Sequence, residues 1–175
     1  MAGELVGVNG IDIKPATLED AGKILSLIKS APDALIDVSF EEICGWIQND
    51  QSIVAKNAFG KVIGHQGMAY WQAANLVELR SAFVDPDARG VGLNTKMKIW
   101  MINMATEKFP GAKIIGFTES ASKSRGILQK LGFWEFPLNE APDELFSICP
   151  AACFKKTGEE CGCKIYVMDP AIKTF

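Results

Sequence analysis

The sequence has few of the features that mark whole classes of protein. Its 175 residues hold one histidine, two tyrosines and five cysteines. No apolar run approaches the ~18 residues of a membrane span. Residues 1–10, MAGELVGVNG, have neither a basic start nor a long apolar stretch, so no secretory signal is expected and a cytoplasmic location is. Positive charge is not in excess: 18 Lys and Arg stand against 21 Asp and Glu, a net charge of −3. Nucleic acid and anionic membranes both need a basic surface, so neither is an expected partner. No internal repeat or low-complexity tract occurs, and no Gly-x4-Gly-Lys-Ser/Thr spacing is present. These absences exclude membrane, fibrous, disordered and disulfide-scaffold classes.

What remains is ordinary for a globular chain, 48% hydrophobic and 22% charged. At ~150 residues per domain the length predicts a single domain over 1–175, enough to bury a core without staples. Its core would span about residues 11–136, with a cysteine-containing extension over about 137–175.

The pattern predicts alternating strands and helices. Ile11 and Ile13 open a short strand. Thr17–Asp20 resembles a capping box ahead of Ala21, Ile24, Leu25 and Ile28 at helical spacing. Ser39 with Glu42 forms a second box, and Phe40, Ile43, Cys44 and Ile47 line one face of the helix it opens. Residues 52–56 and 61–71 read as a hairpin around Asn57–Gly60. Gly64 and Gly67 in its second arm predict a bulge or a close approach by a neighbour. Residues 75–84 form a further strand stopped by Pro86. A helix with Leu93, Met97, Trp100, Met101 and Met104 on its buried side follows. Then come a strand over 113–118, a helix over 122–131 ended by Gly132, a strand over 133–136, a proline-containing loop over 137–150 and a last strand over 164–168. The sum is an α/β fold with antiparallel pairs early and a parallel βαβ unit in the middle.

The informative segment runs from Val84 to Thr95, a strand, a glycine turn and a helix start in that order. Helix N-termini present unsatisfied N–H groups and partial positive charge. Gly90 and Gly92 would let phosphate oxygens approach those groups, and Arg89 adds a full charge. A pyrophosphate site and a plain strand-to-helix turn both satisfy this pattern. A dinucleotide fingerprint fits poorly, because Thr95 stands at its third glycine and Asp85–Arg89 separate strand from glycine.

Val84-Asp-Pro-Asp-Ala-Arg-Gly-Val-Gly92 resembles the acetyl-CoA signature of the GCN5-related N-acetyltransferases, Arg/Gln-x-x-Gly-x-Gly/Ala. Ile127-Leu-Gln-Lys-Leu-Gly-Phe133 resembles the family's second motif, a helix ending in Leu-Gly-Phe, and Ile13–Ala21 resembles its first strand and helix. The resemblance implies a mixed, mostly antiparallel sheet of six to seven strands with about four helices and a splayed parallel pair, here 75–84 and 113–118. It implies an acetyl group moved from acetyl-CoA to a primary amine of a small molecule or amino-acid-like acceptor by direct attack. Main-chain groups of Ala82, Phe83 and Val84 would hold the pantetheine arm. One amide there would polarise the thioester carbonyl. Arg89, Gly90, Val91, Gly92, Leu93, Asn94 and Thr95 would take the pyrophosphate, and Ser122 and Arg125 are further cofactor-binding candidates.

An amine must lose a proton to attack, so a base is useful. Glu78 lies where many family members place a glutamate; its other reading is a solvated strand residue or a partner of Arg80. Glu119 is the second candidate, and His65 the third, though a lone histidine is more often structural. Two departures stand out. Ser120-Ala121-Ser122 occupies a stretch that often holds an Asn, and Leu128 the position of a Tyr that protonates the leaving thiolate. Such a thiolate is a tolerable leaving group, because thiols ionise near pH ~8.5. The acceptor is to be set by the first two helices, the loop near 32–39 and the loop over 137–150, with Trp46, Tyr70 and Trp71 as candidate lining.

Cys149, Cys153, Cys161 and Cys163 fall within fifteen residues. Zinc wants four such ligands, but the spacing lacks the usual Cys-x2-Cys pair. Zinc, a disulfide and free thiols stay open, and no metal ligand is assigned. A CoA-binding module with little catalysis and a metal-tethered interaction protein are the alternatives to the enzyme, and a homodimer is left open.

Overall fold

The computed structural model describes residues 10–30, 38–119, 123–137 and 163–172. Seven strands are present among them: β1 (Asp12–Pro15), β2 (Ser52–Lys56), β3 (Val62–Trp71), β4 (Leu76–Val84), β5 (Lys113–Glu119), β6 (Trp134–Phe136) and β7 (Cys163–Met168). The helices are α1 (Ala21–Lys29), α2 (Phe40–Gln48), α3 (Leu93–Lys108) and α4 (Lys123–Lys130). The strands hydrogen-bond in the order β1-β2-β3-β4-β5-β7-β6. The β1–β2, β2–β3, β5–β7 and β6–β7 pairs are antiparallel, whereas β4 and β5 run parallel. This is the mixed α/β sheet that the sequence predicts. No helix among the described residues is long and apolar enough to cross a membrane.

The chain forms two compact units. The first takes residues 1–69 and 79–108, and the second takes 70–78 and 109–175, so β4 contributes to both.

In the first unit, α1 and α2 bury Ala21, Ile24, Ile28, Ile43, Trp46 and Ile47 with Val54 of β2 and Val62 of β3. Each aliphatic side chain so buried stabilises by about 1.5–3 kcal/mol. A capping box stands at the 3₁₀ turn Leu18–Asp20 that leads into α1, whose own N-cap Asp20 makes no cap bond, and another at the start of α2. The Asp20 carboxylate accepts from the Thr17 N–H at 3.1 Å and pairs with Lys56 at 2.6 Å. Burial pushes that carboxyl up, but the bonds from Lys56 and Thr17 outweigh it and hold it below its ordinary range. At α2, Glu42 N–H donates to Ser39 Oγ at 3.1 Å and Ser39 N–H to Glu42 Oε2 at 2.9 Å. The buried face of α2 is Ile43, Trp46 and Ile47; Phe40, expected there, is 44% exposed because it sits in the first turn.

On the opposite face of β3, Met97 of α3 fills the space beside Gly64, where a Cβ would meet its sulfur at 3.0 Å. The expected close approach therefore comes from within the protein. The buried stripe of α3 is Leu93, Met97, Lys98, Met101, Ile102 and Ala105. It is rotated from the predicted one, and Trp100 and Met104 are half-buried.

The second unit packs Leu76, Ile115, Ile165 and Val167 against Trp71, Phe117 and Phe136. Leu128 of α4 lies over Gly116, 3.3 Å from where a Cβ would stand. Strand β5 runs one residue further than predicted, so Glu119 is its last residue, in register with Cys163, rather than lying just past it.

Candidate functional site

The glycine turn belongs to the first unit. Strand β4 ends at Ala82, Phe83 and Val84, all half-buried. Asp85 then stops the chain: its N–H bonds the Ile63 carbonyl at 2.9 Å, its Oδ1 accepts from Asp87 N–H at 3.1 Å and its Oδ2 takes Lys61 Nζ at 2.8 Å. The Lys61 bond, then the Asp87 amide, hold its carboxyl below the ordinary range. Arg89 Nε donates back to the Val84 carbonyl at 3.1 Å. These bonds fix the turn from both ends.

Gly90 and Gly92 have φ of 85° and 76°, a region that side chains rarely adopt. A Cβ at either would meet nothing within 4 Å, so the space before them is open. The first bond of α3 runs from Lys96 N–H to the Gly92 carbonyl at 3.1 Å. The amides of Leu93, Asn94 and Thr95 thus precede the helical ladder. Asn94 Oδ1 is buried without a partner. Bare amides, open space and the positive end of a four-turn helix fit the diphosphate of a coenzyme.

One strand earlier, a polar chain crosses the sheet. The ring of His65 is fully buried, with Nδ1 2.9 Å from the Ser81 carbonyl and Nε2 3.0 Å from Ser52 Oγ. A carbonyl only accepts, so Nδ1 carries the proton and Nε2 accepts from the serine. Burial pushes the ring down to about 4, against the pull of the Ser81 carbonyl, so it is neutral at pH 7. Its place is structural, because Ser81 has φ 53° in the middle of β4. A non-glycine in that region costs about 1–3 kcal/mol and persists only where surroundings enforce it. His65 holds that carbonyl, and β4 is re-aimed just ahead of Ala82.

On the other face of β3, Lys98 is 5% exposed, and its Nζ donates to Gln66 Oε1 at 3.3 Å. Burial pushes it down to about 8. Nothing in the sequence announces a lysine in that stripe, since lysines usually carry their charge to water.

The second unit carries the base candidates. Glu78 is 1% exposed, and Trp71 Nε1 donates to its Oε2 at 3.2 Å. It is therefore no solvated strand residue. Trp71 ends β3 directly before the turn at 72–75, whereas Glu78 is the third residue of β4 after it, so the sequence spacing does not announce their meeting. Arg125 Nη2 lies 3.8 Å from Glu135 Oε2, and Glu135 also takes Lys164 at 3.0 Å and Tyr166 Oη at 3.2 Å. Lys164 is the largest cause of a Glu135 carboxyl held below its usual range. Leu128, at the position implied for a tyrosine, is buried. Ser122 lies outside the described residues, as do Cys149, Cys153 and Cys161. No group of three or more metal-ligating side chains occurs among the described residues.

No protein-family model and no curated protein matches this sequence. Solved structures do. A Mycobacterium tuberculosis protein in complex with CoA has a TM-score of 0.71 at 17% identity, over 90% of this chain and 98% of that one. A GNAT-family acetyltransferase from Staphylococcus aureus has a TM-score of 0.69 at 17% identity, over 91% and 98%. The N-acetylglutamate synthase of Neisseria gonorrhoeae, complexed with coenzyme A and N-acetyl-glutamate, has a TM-score of 0.69 at 16% identity, over 90% of this chain and 35% of its own. The fold of this chain is that of the GCN5-related N-acetyltransferases.

Proposed function

We propose that the protein is an acetyl-CoA-dependent N-acetyltransferase whose acceptor is a primary amine of a small molecule or amino-acid-like compound. The observation that carries this is the open turn at Gly90–Gly92 before the bare amides of α3, on a fold shared with acetyltransferases. When bound, acetyl-CoA supplies an activated acyl group on a tolerable leaving thiol. The amides of Leu93, Asn94 and Thr95, with Arg89, hold its diphosphate. The main chain of Ala82, Phe83 and Val84 holds the pantetheine arm and offers a donor to the carbonyl. Glu78 accepts the proton that the amine gives up, and Trp71 fixes its carboxylate.

Calorimetry with acetyl-CoA, followed by an amine panel read as free-thiol release, tests this. Saturable binding with turnover is expected. Glu78→Gln should lower kcat about 100-fold near pH 7 while leaving CoA affinity alone. Unchanged turnover at every pH would remove Glu78 as the base. A second reading, a CoA-binding module with little transfer, is favoured by one feature, the buried Leu128 at the tyrosine position. It predicts CoA binding with no thiol release from any amine.

A further inference from the structure

The first unit holds a cation with no ion-pair partner among the described residues. Arg80 of β4 is half-buried, and its guanidinium carbon lies 5.2 Å from the centroid of the Trp46 ring. Its Nε is buried and has no acceptor. The guanidinium makes no hydrogen bond or ion pair among the described residues, although its five N–H groups are a rigid fork built for a planar anion. Of the acidic residues of α2, Glu42 caps Ser39 and Glu41 is exposed.

The platform beneath Arg80 is fixed. Trp46 is buried and stacks on His65, with ring centroids 6.1 Å apart and planes inclined by 15°. Gly67 lies beside the indole: a Cβ there would make ordinary contacts, 3.5 Å from Trp46 Cε3 and 3.6 Å from the Arg80 carbonyl. That carbonyl is held by Gln66 Nε2 at 2.8 Å. The next residue, Ser81, likewise keeps a buried hydroxyl without a partner. The backbone of Arg80 is therefore pinned and its ring face covered, while its donors stay unused. A buried charged donor without an acceptor is costly, and an anionic ligand is one group that would complete it.

We propose that Arg80 receives the carboxylate of the acceptor, so that the amine substrate is an amino acid or another amine bearing a carboxylate. This rests on the acetyl-transfer reading above. A phosphate of the coenzyme is the other anion at hand, but the glycine turn and Arg89 already provide for phosphate. Arg80 stands two residues from Glu78 and two from Ala82 along the chain, the residues proposed for base and carbonyl donor. A carboxylate held by Arg80 would bring an α-amine to strand β4.

The test is a binding titration on the full chain saturated with CoA. The probes are N-acetyl-L-amino acids covering the common side chains, each against its C-terminal amide. At least one acid should bind about tenfold or more tighter than its amide. Arg80→Met should abolish that preference, and Arg80→Lys should restore part of it, which shows that loss of fold is not the cause. CoA affinity should be unaltered in both variants. Equal binding of acid and amide, a preference that survives Arg80→Met, no saturable binding of any probe, or a fall in CoA affinity would each overturn the proposal. Thiol release from acetyl-CoA is followed separately with the free amino acids. A carboxylate preference without thiol release keeps Arg80 and sinks the transferase. Thiol release equal for acids and amides keeps the transferase and sinks Arg80.

Discussion

Helices α2 and α3 begin in opposite ways within the same unit. At α2 the chain covers its own start with side chains: Ser39 and Glu42 exchange two bonds. At α3 two left-handed glycines precede the helix, no cap side chain covers it, and open space lies ahead. Helix starts cost stability when donors are unmet, and a cap recovers about 1 kcal/mol. A capped start serves its own helix, whereas an open glycine start is what the proposed coenzyme site requires. Elsewhere in the unit the same contrast holds. The Ser81 carbonyl is closed by His65, whereas the donors of Arg80 are not closed by anything described.

The comparison breaks most sharply if the open start is closed. Gly92→Asp places a carboxylate beside the bare amides. Asp tolerates positive φ better than most residues and favours a helix N-terminus, so the fold should survive. The coenzyme diphosphate would then meet a like charge. Calorimetry should show CoA affinity reduced about 100-fold, roughly 3 kcal/mol, with stability lowered only by the roughly 1 kcal/mol of a side chain at positive φ. Unaltered affinity would mean that the turn is only a turn.

A closed group should respond to acid instead of to ligand. His65 titrates near 6.5 when unfolded and about 4 when folded. Between those values the unfolded chain binds the extra proton, so stability rises with pH across the window. It is complete above about pH 6.5 and falls as pH drops toward 4, by about 3 kcal/mol in all. His65→Gln lacks this titration. The stability difference between the two proteins, from urea unfolding at several pH values, should shrink on acidification. Because the chain has one histidine, its ring proton signal is unambiguous and should not shift between pH 7.5 and 5. A midpoint near 6.5 in the folded protein would make the ring solvated rather than locked.

Much of this contrast could be read in the sequence, and the unread part has a physical pattern. Both kinds of helix start are written in local residue types, Ser-x-x-Glu and Gly-x-Gly, because capping is decided within four residues. The strands, the early antiparallel pairs and the parallel βαβ unit followed from alternation and turns, whereas the place of β7 between β5 and β6 did not. The orientation of Trp46 against Phe40 was not legible, since a two-turn helix offers periodicity too short to separate neighbouring positions. Ser81 gave no signal at all: a left-handed serine inside a strand is imposed by tertiary contacts, here a histidine sixteen residues earlier. Lys98 and Arg80 were hidden for a related reason. Charged residues are read as solvated by default, and only the packed structure shows that Lys98 is taken out of water and that Arg80 Nε is buried without an acceptor.

The smallest effect sharpens the comparison from its closed side. Ser39→Ala removes the oxygen that accepts from Glu42 N–H and frees the reciprocal carboxylate. The box is exposed, so water replaces part of the loss, and about 1 kcal/mol of stability should go. In a domain of this length that lowers Tm by about 2–4 °C. CoA affinity should not change, because this start serves only its own helix. Ser39→Ala and Gly92→Asp are then counterparts, one read in stability alone and the other chiefly in binding. The double variant should show both effects unaltered, within about 0.5 kcal/mol of their sum. Coupling larger than that, or a loss of CoA affinity in Ser39→Ala alone, would mean that the capped start also shapes the site and that the two helices are not divided between structure and function.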